Sequence, residues 1–256
     1  MSPPYGKLAI RGKNLVQAST GHPVQLHGMS LFWHQWMGQF YNHAAVRALK
    51  CSWNCNVVRA AIGAERGGYI ENPGEALDKA HAVINAAIAE GIYVVVDWHD
   101  ENAHQHRNKA IEFFNNISQT YKGRDNIIYE IYNEPTNVSW SNDLKPYHIE
   151  VIKAIRKNDP NNVIIVGTPI WSQNVDDAAN DPLQGFENIA YTLHYYAGTH
   201  KEALRNKAKY AISKNLPIFV TEYGLVNSDG NGDVNEEESN KWWRFLDDNK
   251  ISYINW

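Results

Sequence analysis

Short runs of apolar, mostly β-branched residues recur along the chain at 24–28, 56–61, 92–98, 127–132, 163–167, 189–194, 218–222 and 251–256. Each run is continuous rather than alternating, which predicts strands buried on both faces, as in a parallel sheet. Longer amphipathic stretches separate them. The stretch 73–90 follows Asn72, places Pro73 in its first turn and stops at Gly91, so it carries both helix start and stop signals. The stretch 105–122 stops at Gly123, 143–158 stops before Asp159-Pro160, and 201–214 and 235–249 complete the clear helices. The connection after the fifth run is short and only weakly helical. Eight strands alternating with helices predict an α/β fold, a (β/α)8 TIM barrel. A doubly wound open sheet would be expected to carry a glycine-rich turn after an early strand, and no G-x-G-x-x-G is present. The leading segment KLAIRGKNLVQASTGHPVQL at 7–26 reads as a hairpin, with turn chemistry at Asn14 and Thr20-Gly21, expected to plug the barrel bottom. The eighth run ends at Trp256 with no helix after it. The expectation is a barrel lacking its eighth helix, with the gap between the first and seventh helices uncovered at some cost in stability.

The length of 256 residues fits one barrel domain spanning 1–256. A net charge of −4 argues against nucleic acid, whose phosphates require a basic face. No apolar run of membrane-spanning length occurs. The N-terminus MSPPYGKLAI has no apolar signal core, which leaves a cytosolic chain or the mature form of a secreted one. Cys51 and Cys55 are spaced too widely for a C-x-x-C motif. A disulfide between them would require the helix to break at that point, and buried thiols are the favoured reading. Nine Trp and fourteen Tyr exceed what an ordinary core needs, so some are expected to line a cleft, where flat rings suit the apolar face of a sugar.

In such a barrel, chemistry gathers at the C-terminal ends of the strands. Those ends supply Arg59, Asp97-Trp98-His99, Asn133-Glu134, His194-Tyr195-Tyr196, Glu222 and Trp256, while Trp33, Trp36 and Trp171 follow the first and fifth runs. Two glutamates after the fourth and seventh strands are the central feature. Glycoside hydrolysis needs two carboxyl groups flanking one bond, about 5–5.5 Å apart when the anomeric configuration is retained.

The segments YEIYNEP at 129–135 and FVTEYG at 219–224 resemble the signatures of glycoside hydrolase family 5. NVVRAA at 56–61, VVVDWHDE at 94–101, GTPIWSQ at 167–173 and LHYYAGTH at 193–200 match in order, and the last two resemble the bacterial, nematode and insect cellulase branch. The resemblance implies a secreted endo-β-1,4-glucanase, monomeric and without cofactor or metal, acting on a β-1,4-glucan polysaccharide. It implies Glu134 as acid/base and Glu222 as nucleophile, with Arg59 and Tyr196 holding Glu222. Asn133 would bind the sugar 2-hydroxyl, His99 and His194 would frame the central sugar, Trp256 would stack under it, and Trp36 and Trp171 would serve neighbouring subsites. Phe32 stands where many relatives carry His. The alternatives are a β-mannanase or other β-glycanase on the same machinery, and a truncated barrel that binds carbohydrate with weak catalysis.

Physically, Arg59 and Tyr196 should lower the pKa of Glu222, and the negative Glu222 should raise that of Glu134. Elsewhere the plainer readings hold. Trp53, Trp242 and Trp243 are packing residues, and Glu236-Glu237-Glu238 opens the last helix. His104 and His106, near Asp100 and Glu101, read as a solvated loop rather than a metal site. The stretch 229–233 resembles half a calcium loop, but Asn240 occupies the position that needs Glu. With no binding module in this chain, soluble or amorphous glucan is the expected substrate.

Overall fold

The computed structural model describes residues 1–256. Two antiparallel strands, β1 (Leu8–Arg11) and β2 (Asn14–Gln17), precede eight parallel ones: β3 (His27–Ser30), β4 (Val57–Gly63), β5 (Tyr93–His99), β6 (Ile127–Glu130), β7 (Ile164–Val166), β8 (Ile189–Tyr196), β9 (Ile218–Gly224) and β10 (Tyr253–Asn255). The eight close into a barrel, with β10 hydrogen-bonded to both β9 and β3. The helices α1 (His34–Met37), α2 (His43–Trp53), α3 (Pro73–Glu90), α4 (Arg107–Thr120), α5 (Lys145–Arg156), α6 (Pro169–Ser172), α7 (Val175–Asn180), α8 (Glu202–Ser213) and α9 (Glu236–Asp248) fill the connections. The predicted TIM barrel is therefore the observed fold.

Strand parity explains how the core divides. Outward residues such as Val58, Val94, Val96 and Ile164 join the helices in one large cluster. Inward residues Val57, Tyr93, Val95, Ile128, Ile165, Ala190, Phe219 and Ile254 fill the lower barrel, where Leu8 and Leu15 of the hairpin and Val24 and Leu26 close the bottom. Two residues further along, the inward set turns polar: Arg59 on β4, Asp97 on β5, Glu130 on β6 and Thr192 on β8, all fully buried. The apolar lower layer thus supports a charged upper one.

Several boundaries differ from the pattern-based expectation. The first barrel strand lies at His27–Ser30, not 24–28, because Val24 and Leu26 are drawn below the barrel into the bottom plug. The hairpin turns at Gly12, whose φ of +60° suits glycine, and Asn14 is the first residue of β2 rather than a turn residue. The fourth barrel strand, β6, ends at Glu130, so Asn133 and Glu134 sit in the loop beyond it. Residues 140–144 form a wide turn ahead of α5, so that helix begins later than its pattern. After the fifth barrel strand the connection carries only α6 and α7, as its weak helical pattern foretold. Helix α2 ends at Trp53, with Asn54 left-handed at φ +54°; both cysteines are free thiols, but only Cys55 is buried as expected, because Cys51 lies on the exposed face of α2. Outward residues of β10 and β3, among them Tyr253 and His27, stay partly exposed, in the sector expected to be uncovered.

Trp242 of α9 is fully buried, stacks on Tyr195 at 4.0 Å between ring centroids, and donates Nε1–H to the His200 carbonyl at 2.8 Å. Trp53 is 63% exposed. Trp242→Ala should therefore cost about 3–5 kcal/mol in urea unfolding, whereas Trp53→Ala should change stability by no more than about 0.5 kcal/mol. Equal losses in the two variants would contradict this division between core and surface.

Candidate active site

Arg59 lies at the centre of the polar layer. Its Nη2 donates to Glu130 Oε1 at 2.7 Å and to Asn133 Oδ1 at 2.7 Å, and forms an ion pair with Asp97 Oδ2 at 3.0 Å. Its Nη1 donates to Glu222 Oε2 at 3.1 Å. The other oxygen of Glu222 accepts from the Tyr196 hydroxyl at 2.7 Å. Glu222 is therefore gripped on both oxygens, and only 5% of the residue is exposed.

Glu134 reaches the same place from a loop, which needs an anchor. The Asn133 amide donates to the Trp98 carbonyl at 3.1 Å, and the Glu134 amide to the Asp100 carbonyl at 3.4 Å, tying the loop to the end of β5. Gly167 lets this turn pass close by: a Cβ there would lie 2.4 Å from the Tyr132 carbonyl and 2.9 Å from Pro135. Glu134 Oε2 lies 2.9 Å from His194 Nδ1, and the opposite ring nitrogen lies 2.7 Å from Thr221 Oγ1. Single oxygens of Glu134 and Glu222 and a nitrogen of His194 lie within 4.8 Å of one another. His99 bridges Asp97 Oδ2 at 2.6 Å and the Asn133 amide at 3.3 Å, which fixes its ring.

The two glutamates are driven apart in acidity. Burial works to raise Glu222, but the charges facing it and the Tyr196 hydrogen bond prevail and lower its pKa. Burial depresses both His99 and His194, so the permanent cation here is Arg59. Glu134 is held well above the ordinary carboxyl range by burial, then by the negative charges of Glu222 and Glu101.

The glutamates open into a cleft of about 430 Å³ that also exposes Trp171, Gln173, His194, Tyr196, His200, Ser228 and Asp229. A second hollow of about 340 Å³ adjoins His99 and is bordered by Trp33, Gln35, Trp36, Glu65, Arg66, Asp100, Glu101 and Asn102. Trp256 stacks on His99 at 5.2 Å with an 8° interplanar angle. Phe32 packs against Trp256 at 5.1 Å and is 45% exposed. His34 is buried and accepts from the Gly63 amide at 2.9 Å. A larger cavity of about 620 Å³ lies beside β1 and carries no paired carboxylates.

Trp171 is displayed at a conformational cost. Ile170, Trp171 and Ser172 have φ of +56°, +52° and +58°, a left-handed stretch that non-glycine residues rarely adopt. It is held by the Trp171 amide donating to the Pro135 carbonyl at 2.7 Å and by Ser172 Oγ donating to the Asn133 carbonyl at 2.8 Å. The same residues that fix the loop carrying Glu134 thus aim the exposed Trp171 ring.

All the residues singled out from sequence reach this rim: Arg59, His99, Asn133, Glu134, His194, Tyr196, Glu222 and Trp256 at its centre, with Trp36 and Trp171 on the flanks. Gln173, His200 and Asp229, and the buried pair Asp97 and Glu130, were not singled out for a role. Strand parity on β5 and β6 would have found the pair. Two groups bring metal-type donors together. In Glu134–His194–Glu222 the Arg59 guanidinium already serves as the cation for Glu222. In Glu65–Asp100–His106 the histidine spends one nitrogen on Asp100 at 2.8 Å and the other on Glu65 at 3.3 Å, so a cation would have to displace those contacts.

The model of the cellulase family, glycosyl hydrolase family 5, matches residues 17–256. Endoglucanase Z of Dickeya dadantii is 52% identical over 90% of this chain and 54% of its own length. An endoglucanase of Clostridium saccharobutylicum is 45% identical over 98% of this chain and 56% of its own. The chain spans about half the length of these curated relatives. Among solved structures, the catalytic domain of a Thermobifida fusca endoglucanase variant, in complex with cellotetraose, superposes with a TM-score of 0.93 at 34% identity, covering 98% of this chain and 85% of that one. A protein from Cytophaga hutchinsonii superposes at 0.97 with 50% identity, covering 98% and 82%.

Removing the Tyr196 hydroxyl tests the grip on Glu222. A hydrogen bond to a charged group contributes about 1.5–3 kcal/mol, so Tyr196→Phe should raise the Glu222 pKa by about one unit or more. Titration of the labelled carboxyl by NMR reads this directly, and an unmoved Glu222 would show that Arg59 alone holds it.

Proposed function

The chain belongs to the cellulase family of glycosyl hydrolases, family 5, and from that premise we propose that it is a retaining endo-β-1,4-glucanase with Glu222 as nucleophile and Glu134 as acid/base. The observation that carries the reading is the approach of Glu134 and Glu222 oxygens to within 4.8 Å. So close an approach is in keeping with the separation of about 5–5.5 Å between carboxyl groups in retaining enzymes rather than the wider one of about 6.5–9.5 Å in inverting enzymes.

The split acidity supplies the chemistry. Glu222, ionised, attacks the anomeric carbon. Glu134, protonated, gives its proton to the departing glycosidic oxygen as that bond breaks. Once Glu222 is an ester its charge is gone, and one cause of the raised Glu134 pKa goes with it. Glu134 then accepts a proton from water, which attacks the same carbon from the face the leaving group vacated and releases Glu222. Two inversions retain the β configuration. Asn133, set by Arg59 and His99, is suited to the sugar 2-hydroxyl, whose hydrogen bond strengthens in the transition state. The open cleft, flanked on its two sides by Trp171 and by Trp33 and Trp36, suits binding within a chain rather than at its end. The relatives named as endoglucanases and the cellotetraose bound by the Thermobifida neighbour support a β-1,4-glucan as substrate. Such a polymer does not enter cells, so the enzyme works outside them; no helix here is long and apolar enough to cross a membrane.

Glu222→Gln should lower the rate on carboxymethyl-cellulose by at least about a thousandfold while the barrel still melts cooperatively. Proton NMR of cellotetraose hydrolysis should show β-anomeric product first. Initial α product would overturn the retaining reading, and a mannan cleaved faster than the glucan would overturn the substrate. Trp171→Ala should raise KM for cellotetraose about tenfold, with a smaller effect on kcat, through the loss of one aromatic platform.

A further inference from the structure

The polar layer beneath Glu134 and Glu222 contains two carboxyl groups with no part in the double displacement. Asp97 and Glu130 are paired across β5 and β6, both point into the barrel, and both are fully buried. The groups facing them are Arg59 from β4, His99 from β5, Glu134 from the loop after β6, His194 from β8, Glu222 from β9 and the Tyr41 phenol, which donates to the Ala61 carbonyl. Burial depresses the two imidazoles, so Arg59 is the one permanent cation among three carboxylates: Asp97, Glu130 and Glu222. Full ionisation would leave two uncompensated negative charges in a space closed to water, a state proteins avoid by retaining a proton.

The hydrogen bonds show which carboxylate oxygen lacks a donor. Both oxygens of Glu130 accept from Arg59, at 2.7 and 3.3 Å. Asp97 Oδ2 faces Arg59 and His99. Asp97 Oδ1 is buried and has no donor. A bare buried carboxylate oxygen is costly; a proton on it would make it a donor, and the carboxylate of Glu130, its register partner on β6, is the nearest acceptor of matching charge.

We propose that Asp97 and Glu130 share one proton at neutral pH and are positioning residues for hydrolysis, setting how much of the Arg59 charge is left to Glu222. The inference rests on the glycosidase reading above. Burial raises both groups against the pull of Arg59, Asp97 to about 7 and Glu130 to about 8, in keeping with a pair that titrates as a unit just above neutrality. While the proton is present, Arg59 answers two negative charges. When it leaves, the guanidinium is divided among three, and the added negative charge raises the pKa of Glu134. The pair thereby holds the acid protonated to a higher pH than the nucleophile alone could.

Asp97→Asn is the isosteric mimic of the protonated form: its amide oxygen can accept from Arg59 and His99, and its amide nitrogen can donate to Glu130. Two readouts test the pair. In the infrared spectrum of the Glu134→Gln protein at pH 6, which removes the acid's own proton, a buried carboxylic-acid C=O band should remain, and it should vanish when Asp97→Asn is added. In protein with Glu134 intact, Asp97→Asn should move the alkaline limb of kcat/KM on cellotetraose down by about half a pH unit or more. Glu130→Gln should also abolish the band and serves as the second variant if the first folds poorly. A spectrum without the band in Glu134→Gln, a band that survives both substitutions, or an unmoved alkaline limb would overturn the proposal. The infrared measurement needs no turnover, so its failure is distinguishable from a failure of the glucanase reading.

Discussion

The site depends on a single buried guanidinium. Arg59 is fully enclosed, and burying it without partners would cost several kcal/mol. Its hydrogen bonds to Glu130, Asn133 and Glu222 and its ion pair with Asp97 offset that cost and also fix four side chains from β5, β6, the following loop and β9. Arginine suits this position because its planar fork donates in several directions at once and stays charged. A lysine would offer a point charge and could not keep this geometry. Arg59 thus connects folding to chemistry: the barrel closes around it, and its charge keeps Glu222 ionised.

The two glutamates are held by different means. Glu222 is on a barrel strand, where backbone register fixes it. Glu134 lies beyond a strand end and depends on neighbours: amide bonds to the end of β5, the close passage at Gly167 and the imidazole of His194. The strained stretch 170–172 is tied into the same loop through Pro135 and Asn133. The backbone that presents Trp171 and the backbone that presents Glu134 therefore brace each other, a linkage that couples chain binding to the placement of the acid.

Much of this was legible in the sequence, and for identifiable reasons. Continuous apolar runs marked the parallel strands, and the Asn72-Pro73 start and Gly91 stop marked α3 without ambiguity. Because barrel chemistry gathers at strand ends, reading the last residues of each run named Arg59, Glu134 and Glu222 directly. What escaped depended on partners distant in sequence. The first barrel strand lies later than its apolar run, because Val24 and Leu26 are as apolar as strand residues yet belong to the bottom plug. Helix α2 was not delineated, and the contribution of His200, Gln173 and Asp229 to the cleft depends on loop paths no local pattern encodes. Asp97 and Glu130 were visible as residues, but their pairing through Arg59 appears only once the strands are in register.

The central claim is that Glu222 and Glu134 work by double displacement, with the ester passing through Glu222. Trapping that ester tests it most directly. A 2-deoxy-2-fluoro-β-cellobioside with an activated leaving group should inactivate the enzyme, and mass spectrometry of the digested protein should find one added fluorocellobiosyl group on the peptide carrying Glu222. A label on the peptide carrying Glu134, or turnover of the reagent with no covalent adduct, would contradict the account.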